Sequence, residues 1–260
     1  LNILVANDDG IHRRGIRELA QALARIEDAN IYVFAPDRER TAAGHGITMR
    51  DSLYLQDWTL DDYPGAKLAY SCSGTPADCV KIGISLMSQR GVDIDLVCSG
   101  INHGANMGTD VFYSGTVAAA MEGRLMGVPG IAFSLCAHDG EHFEAFHDIV
   151  PEIVRKSYGK IPETSILNVN VPNLPSEDIK GILVTDVGVR RFEEEYRLVQ
   201  QIERGDYYEY LSLEKYYGDQ GLATDIGASQ QGYVTISPIS IKRTYRQELV
   251  DVRSWNIRWK

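Results

Sequence analysis

No apolar run in this chain approaches the length of a bilayer-spanning helix: stretches such as VAAAM and IAFSLCA fall far short of the roughly 20 residues required. No basic-then-apolar leader precedes the first strand-like segment, so a cytoplasmic location is expected. Cysteine is scarce, with four residues (Cys72, Cys79, Cys98 and Cys136) and no CxxC pair. They lie in or beside apolar runs of a 260-residue chain, which predicts reduced, buried thiols rather than a disulfide framework. Positive charge is also in deficit: 26 Lys and Arg against 36 Asp and Glu give a net charge of −10, which repels DNA and anionic membrane surfaces. A small phosphorylated ligand remains compatible, because a bound cation reverses the field within one pocket. There is no internal repeat or low-complexity tract.

What is present is a composition of 44% hydrophobic and 24% charged residues, enough for one large core with an extension rather than a second independent domain. Over the first 170 residues or so, short apolar runs alternate with helical patterns, the signature of an α/β fold with a mainly parallel sheet. ILVA and NIYVFAP read as strands one and two. Between them GIRELAQALARI places Ile16, Leu19, Ala20, Leu23 and Ile26 on one helical face. KLAYS, DIDLVCSG, PGIAFSL and SILNVNVP read as further strands, with helices over SGTPADCVKIGISLM, GTVAAAMEGRLMG and about 141–157; the segment 37–65 reads as irregular. In the first of these helices Thr75 is an N-cap, Pro76 suits the first turn and Asp78 completes a capping box. Beyond residue 175 the chain turns Tyr-rich and charged with little helical period, which predicts hairpins or an oligomerisation arm near 190–220. GYVTISPI is a late strand, followed by a basic, aromatic tail.

In a parallel α/β sheet, ligands gather beyond the carboxyl ends of the strands. Strand one ends in Asp8-Asp9, strand two in APDRERTAAGHG, and the strand near 94–99 in SGINHGANMGTDVFYSGT, so three polar loops are expected on one rim. Adjacent carboxylates repel unless a positive charge lies beside them, and hard divalent cations prefer carboxylate, amide and hydroxyl oxygens. Asp8 and Asp9 supply charge, while Thr41 and Asn102 could supply neutral oxygens: a Mg²⁺- or Mn²⁺-type set, without the Cys/His cluster of structural zinc. An Asp-Asp-Gly turn serves equally as turn or capping chemistry, and both readings stand at this point. Ser114, Gly115 and Thr116 begin a helix, offering backbone N–H groups, a positive dipole end and hydroxyls to a phosphate; each hydroxyl could instead be only a cap. Glycines 100, 104 and 108 suit a loop that passes close to a ligand, yet the stretch matches neither GxGxxG nor GxxxxGK[ST], so no nicotinamide or triphosphate cradle is indicated. His45 and His103 lie in these loops, where histidine more often hydrogen-bonds or faces solvent than acts as a general acid.

With these residues in place, the chain resembles the SurE (survival protein E) nucleotidases. ILVANDDGI, APDRERTAAGHGIT, SGTPADCVKIG, SGINHGANMGTDVFYSGTVAAAMEG, LNVNVP and TDIGASQQGYVTISPI occur in family order from the first strand nearly to the end. The resemblance implies a single Rossmann-like, three-layer, doubly wound α/β domain over 1–260, its core about 1–175 plus 225–240, with extensions and arms about 180–224 and 241–260. It implies a metal-dependent phosphomonoesterase acting on nucleoside 5′- and 3′-monophosphates, with short polyphosphate as a further substrate. One divalent ion per subunit, Mg²⁺ or Mn²⁺, would be held by Asp8, Asp9, Thr41 and Asn102. Phosphate would be held by Asn106, Ser114, Gly115 and Thr116, and Asp8, Asp9, Asn106 and Ser114 would carry catalysis. Homodimers or homotetramers through C-terminal arms are implied, with no DNA and no membrane partner. Three positions depart from the family pattern: Thr41 and Gly46 stand where Ser is usual, and Leu1 where a Met is expected. The extra methyl of Thr41 restricts its rotamers and re-tunes a hydroxyl ligand.

Two rivals use the same residues. Asp8 could itself attack phosphorus and form an aspartyl-phosphate, although NDDG lacks the alternating D-x-D of carboxylate phosphatases. Alternatively the rim could bind nucleotides without turnover, as a sensor or scaffold; the paired carboxylates argue against a pure phosphate binder, which they would repel.

Overall fold

The computed structural model describes residues 1–215, 221–244, 246–255 and 257. The chain runs β1 (Asn2–Ala6), α1 (Arg14–Ala24), β2 (Asn30–Pro36), β3 (Leu55–Asp57), β4 (Ala66–Cys72), α2 (Pro76–Gln89), β5 (Leu96–His103), α3 (Gly115–Leu125), β6 (Gly130–Leu135) and α4 (Phe146–Ser157). It continues through β7 (Ser165–Val171), β8 (Ile182–Val184), β9 (Arg191–Ile202), β10 (Gly205–Lys215), α5 (Asp225–Gln230), β11 (Val234–Ser240) and α6 (Arg246–Ser254).

Nine strands form one sheet in the order β3-β4-β2-β1-β5-β6-β7-β11-β8. The six strands from β4 to β7 are mutually parallel; β3 and β11 pair antiparallel to β4 and β7. This is the strand order of a Rossmann fold, and it reverses direction between β1 and β5, where such sheets open a ligand crevice. The expected α/β, mostly parallel, doubly wound sheet is therefore observed.

Strand alternation explains the layering. Ile3 and Val5 of β1 face one side, packed with Ile16, Leu19 and Leu23 of α1 and Val150, Ile153 and Val154 of α4. Leu4 and Ala6 face the other, packed with Val80 and Met87 of α2 and Ala119 of α3. Both faces of the central strands are covered, which is why they read as continuous apolar runs. Each fully buried Leu or Ile contributes roughly 1.5–3 kcal/mol, so a Leu19→Ala change would cost about 2–5 kcal/mol once its cavity is included.

The predicted α2 start is present in full: Thr75 Oγ1 accepts from the Asp78 N–H at 3.1 Å, and Asp78 Oδ2 accepts from the Thr75 N–H at 2.9 Å. The four cysteines are free thiols, three of them buried. Three features differ from the sequence reading. The segment expected to be irregular contributes the edge strand β3, paired to β4. β8 and the short helix α5 come from stretches whose apolar runs are too brief to show a period. The tail contributes α6, and residues 248–255 and 257 of the tail are exposed.

β9 and β10 form a separate two-stranded antiparallel hairpin, as the Tyr-rich region suggested. Tyr196, Leu198, Val199, Tyr207, Tyr208 and Tyr210 are exposed on it. Its root is held against the β5–α3 loop: Arg190 Nη1 donates to Asp110 Oδ2 at 2.7 Å, and Thr109 Oγ1 donates to the Arg190 carbonyl at 2.7 Å. Asp225 accepts from the N–H groups of Gly108 at 3.0 Å and Gly188 at 2.8 Å, while its burial pushes its carboxyl above the usual range.

Candidate functional site

β1 and β5, the strands flanking the reversal, carry the carboxylates and Asn102 to one rim. Just after β1 the chain turns sharply: Asn7 Nδ2 donates to the Gly10 carbonyl at 2.9 Å and Asn7 Oδ1 accepts from the Gly10 N–H. This closed turn projects the side chains of Asp8 and Asp9 forward. β5 supplies Asn102 and His103, the loop after β2 supplies Glu39 and Thr41, and the start of α3 supplies Ser114. All of these line a single cavity of about 230 Å³.

Asp8 is buried, and its Oδ1 accepts a hydrogen bond from Thr116 Oγ1. Burial is the largest influence on its carboxyl, pushing it up to about 6; the charge of Asp9 adds to the rise, and hydrogen bonds from Thr116 oppose it. Asp9 Oδ2 accepts from the backbone N–H of His103 at 3.1 Å and lies 3.0 Å from His103 Nδ1. Asn102 is oriented by its own amide, whose Nδ2 donates to the Gly104 carbonyl at 2.8 Å; its Oδ1 lies 3.5 Å from Thr116 Oγ1. Thr41 donates its hydroxyl proton to Glu39 Oε1. That bond holds the Glu39 carboxyl below its usual range, with Arg13 assisting at 2.6 Å.

Asn106 is the most tightly held member. Its side-chain Nδ2 donates to Ser134 Oγ at 2.8 Å, its N–H donates to Asn170 Oδ1 at 2.8 Å, and its carbonyl accepts from Asn168 and Asn170. Ser114 is the N-cap of α3, its Oγ accepting from the Val117 N–H at 3.1 Å. Its hydroxyl proton is not used by that bond, so capping and ligand binding are compatible.

Of the residues singled out in the sequence, Asp8, Asp9, Thr41, Asn102, Asn106 and Ser114 meet in the cavity. Gly115 and Thr116 lie behind it. A Cβ on Gly115 would come within 2.7 Å of Asp8 Cβ, so only glycine lets the helix start sit against that carboxylate. The Thr116 hydroxyl is directed to Asp8 rather than into the cavity. His45 stands apart from the carboxylate pair, bonded to Glu122 Oε2 at 2.8 Å beside Lys81.

Besides two alanines, sequence reasoning passed over four cavity residues: Glu39, Asp110, Tyr113 and His138. Glu39 lies two positions before Thr41 and Asp110 sits inside the Gly-rich loop, so both were within stretches already marked as polar rim. His138 comes from the β6–α4 connection and packs its ring against Gly104, whose φ of +120° and lack of a Cβ permit the approach. Nothing local in its sequence signals that position.

The donor set fits a hard divalent cation. Two carboxylates, an amide oxygen and a hydroxyl oxygen converge, and the two acids are adjacent with Asp8 removed from solvent. Among the described residues no group of three or more His, Cys, Asp or Glu side chains is arranged to hold a metal, so a cation here would draw on amide and hydroxyl oxygens as well as on the two carboxylates. The rim can therefore collect a cation, place a phosphate oxygen beside it, and present a helix start to the same anion.

Comparison with known proteins gives a consistent picture. The family profile described as "Survival protein SurE" matches residues 3–194. A relative from Thermosynechococcus vestitus named 5′-nucleotidase SurE is 38% identical over 261 residues, covering 98% of this chain and 96% of the relative. Another of that name from Pseudoalteromonas atlantica is 40% identical over 256 residues, covering 98% of each. The crystal structure of a SurE protein from Aquifex aeolicus superposes with a TM-score of 0.82 at 34% identity, covering 99% of this chain and 100% of that one.

Proposed function

The chain belongs to the survival protein SurE family, and from that premise we propose that it is a metal-dependent 5′-nucleotidase, hydrolysing nucleoside monophosphates to nucleoside and phosphate. The observation that carries the reading is the convergence of Asp8, Asp9, Thr41 and Asn102 in one cavity at the β1/β5 reversal, with the α3 start opening onto it.

Asp8, Asp9, Asn102 and Thr41 would hold one Mg²⁺ or Mn²⁺ per subunit. A bound divalent ion supplies Lewis acidity toward the phosphoryl oxygens and lowers the pKa of water. The remaining work belongs to the chain. Thr116 fixes the Asp8 carboxylate and His103 fixes that of Asp9, so neither acid needs to reorganise. Asn106, clamped from three sides, and Ser114 present donors to the phosphate, while the α3 dipole favours charge growing on its oxygens. Gly115 serves by absence of a side chain. Asp8 as nucleophile is disfavoured by its crowding between Thr116 and Gly115; a phosphorylated Asp8 peptide from a quenched reaction would reinstate it.

The finer reading extends to 3′-monophosphates and short polyphosphate, and to homodimers or homotetramers through the β9–β10 arm, whose exposed apolar and tyrosine side chains suit a second copy. A cytoplasmic enzyme without DNA or membrane partners suits the −10 charge and the finding that, among the described residues, no helix is long and apolar enough to cross a membrane. The test is phosphate release from nucleoside monophosphates, polyphosphate and p-nitrophenyl phosphate, with Mg²⁺ or Mn²⁺ and after chelation. Release from the monophosphates that stops on chelation is expected; release indifferent to chelation overturns the metal assignment.

A further inference from the structure

Ser114 is a wall between two cavities. On its far side lies a second cavity of about 370 Å³, within the range of small-molecule sites. Its apolar walls include Phe112, Ala118, Met121 and Ile239, and the exposed Lys242 and Arg243 also line it. Among the described residues no carboxylate lines it, whereas Asp8, Asp9, Glu39 and Asp110 line the first. Residues 114, 118 and 121 share one face of α3, so this wall runs about 10 Å down the helix from Ser114, at about 1.5 Å per residue. That is room for a ribose and a base. Phe112, 71% exposed, offers an uncovered aromatic face.

We propose that this second cavity receives the nucleoside of the substrate: the base lies against Phe112 and Met121, and the ester oxygen passes over Ser114 to a phosphate in the acidic cavity. Lys242 and Arg243 carry donors only and would meet acceptor atoms of the base or ribose. This rests on the nucleotidase reading, which supplies the phosphate end. It assigns selectivity to residues that touch none of the carboxylates.

The test compares AMP with glycerol 2-phosphate, an ester without a ring, for wild type, Phe112→Ala and Met121→Trp. The first variant removes the stacking face and the second fills the cavity. Loss of a base–aromatic stack corresponds to about a ten- to hundred-fold change in binding. Each variant is therefore expected to lower the ratio of kcat/KM for AMP over glycerol 2-phosphate by about that factor, through KM. An unchanged ratio in both variants overturns the proposal. Titration of adenosine alone separates this from the activity itself: binding to wild type that Met121→Trp abolishes supports the cavity even if no phosphate is released, and no binding at millimolar adenosine overturns it. Sedimentation covers the other occupant, a tail from a second copy: variants that change assembly state while keeping the AMP ratio would assign the cavity to that tail and overturn the proposal.

Discussion

The two cavities that meet at Ser114 are built from the same loop and helix, yet they are opposites in chemistry. One gathers four carboxylates around oxygen donors; the other is mostly apolar, with two exposed cations among its lining residues. Placing buried like charges side by side costs stability unless a ligand compensates, whereas an apolar wall costs little and discriminates only by fit. The acidic side is thus suited to do chemistry on any phosphate ester, and the apolar side to choose among them.

The sharpest way to break this contrast is Asp8→Asn. Removing one of two adjacent charges should lower phosphate release by roughly 10³-fold, since the change strips charge from the reacting centre. The apolar cavity is untouched, so adenosine affinity should stay as in wild type. With EDTA present the variant should unfold at the same or a higher temperature than wild type, because Asp8 and Asp9 no longer repel. Adding Mn²⁺ should raise the melting temperature of wild type and leave the variant nearly unmoved, as expected for a ligand that binds only the folded site. A melting temperature that falls in EDTA would show that Asp8 is a structural residue rather than a strained one.

Gly115→Ala comes next. Its Cβ would lie 2.7 Å from Asp8 Cβ, so helix or carboxylate must shift. About 1–3 kcal/mol of stability should be lost, and a displacement approaching 1 Å should cost roughly 10²-fold in kcat. Thermal unfolding and steady-state rates together check it. If stability falls and kcat does not, the α3 start is not part of the reacting centre.

The same contrast explains what could be read from the sequence. Asp8, Asp9, Thr41, Asn102 and Ser114 stood out because acidic pairs, glycine-rich loops and helix starts after apolar runs are local patterns, and a parallel sheet brings such strand ends together. The Rossmann-like sheet was legible for the same reason: its central strands are continuous apolar runs. The apolar cavity was not legible. Phe112 and Met121 are ordinary residues more than a hundred positions from Ile239 and Lys242, and they are joined only because β11 returns antiparallel beside β7. Asp225 reaches the site region through a tertiary route just as long, and His138 through a shorter one, across the 34 positions that separate it from Gly104. Thr116 was legible as a helix-start hydroxyl, but that it turns inward to Asp8 depends on how closely Gly115 lets α3 approach β1.

The smallest expected effect bears on what holds the apolar side in place. The segment carrying His45, which lines that cavity, is tied to the α2 start: Asp78 accepts from the Thr48 N–H at 2.9 Å and from Thr48 Oγ1 at 2.7 Å, and Thr75 Oγ1 donates to the Gly46 carbonyl at 2.8 Å. Burial pushes the Asp78 carboxyl up, but the hydrogen bonds from Thr48 and Thr75 together outweigh it and leave it below the usual range. A carboxyl lowered on folding stabilises the protein above its unfolded value, near 3.9, and that contribution fades as pH falls through the folded value. Thr48→Val removes one of the bonds to the ionised carboxylate, so it should cost about 1 kcal/mol at neutral pH. As pH falls from about 4 through the lower folded value, its melting curve should converge on that of wild type, because protonated Asp78 no longer rewards the bond. Phosphate release from glycerol 2-phosphate should be unaffected, since the carboxylate pair does not touch this segment, and a fall there as large as for AMP would mean that the two cavities are not held independently.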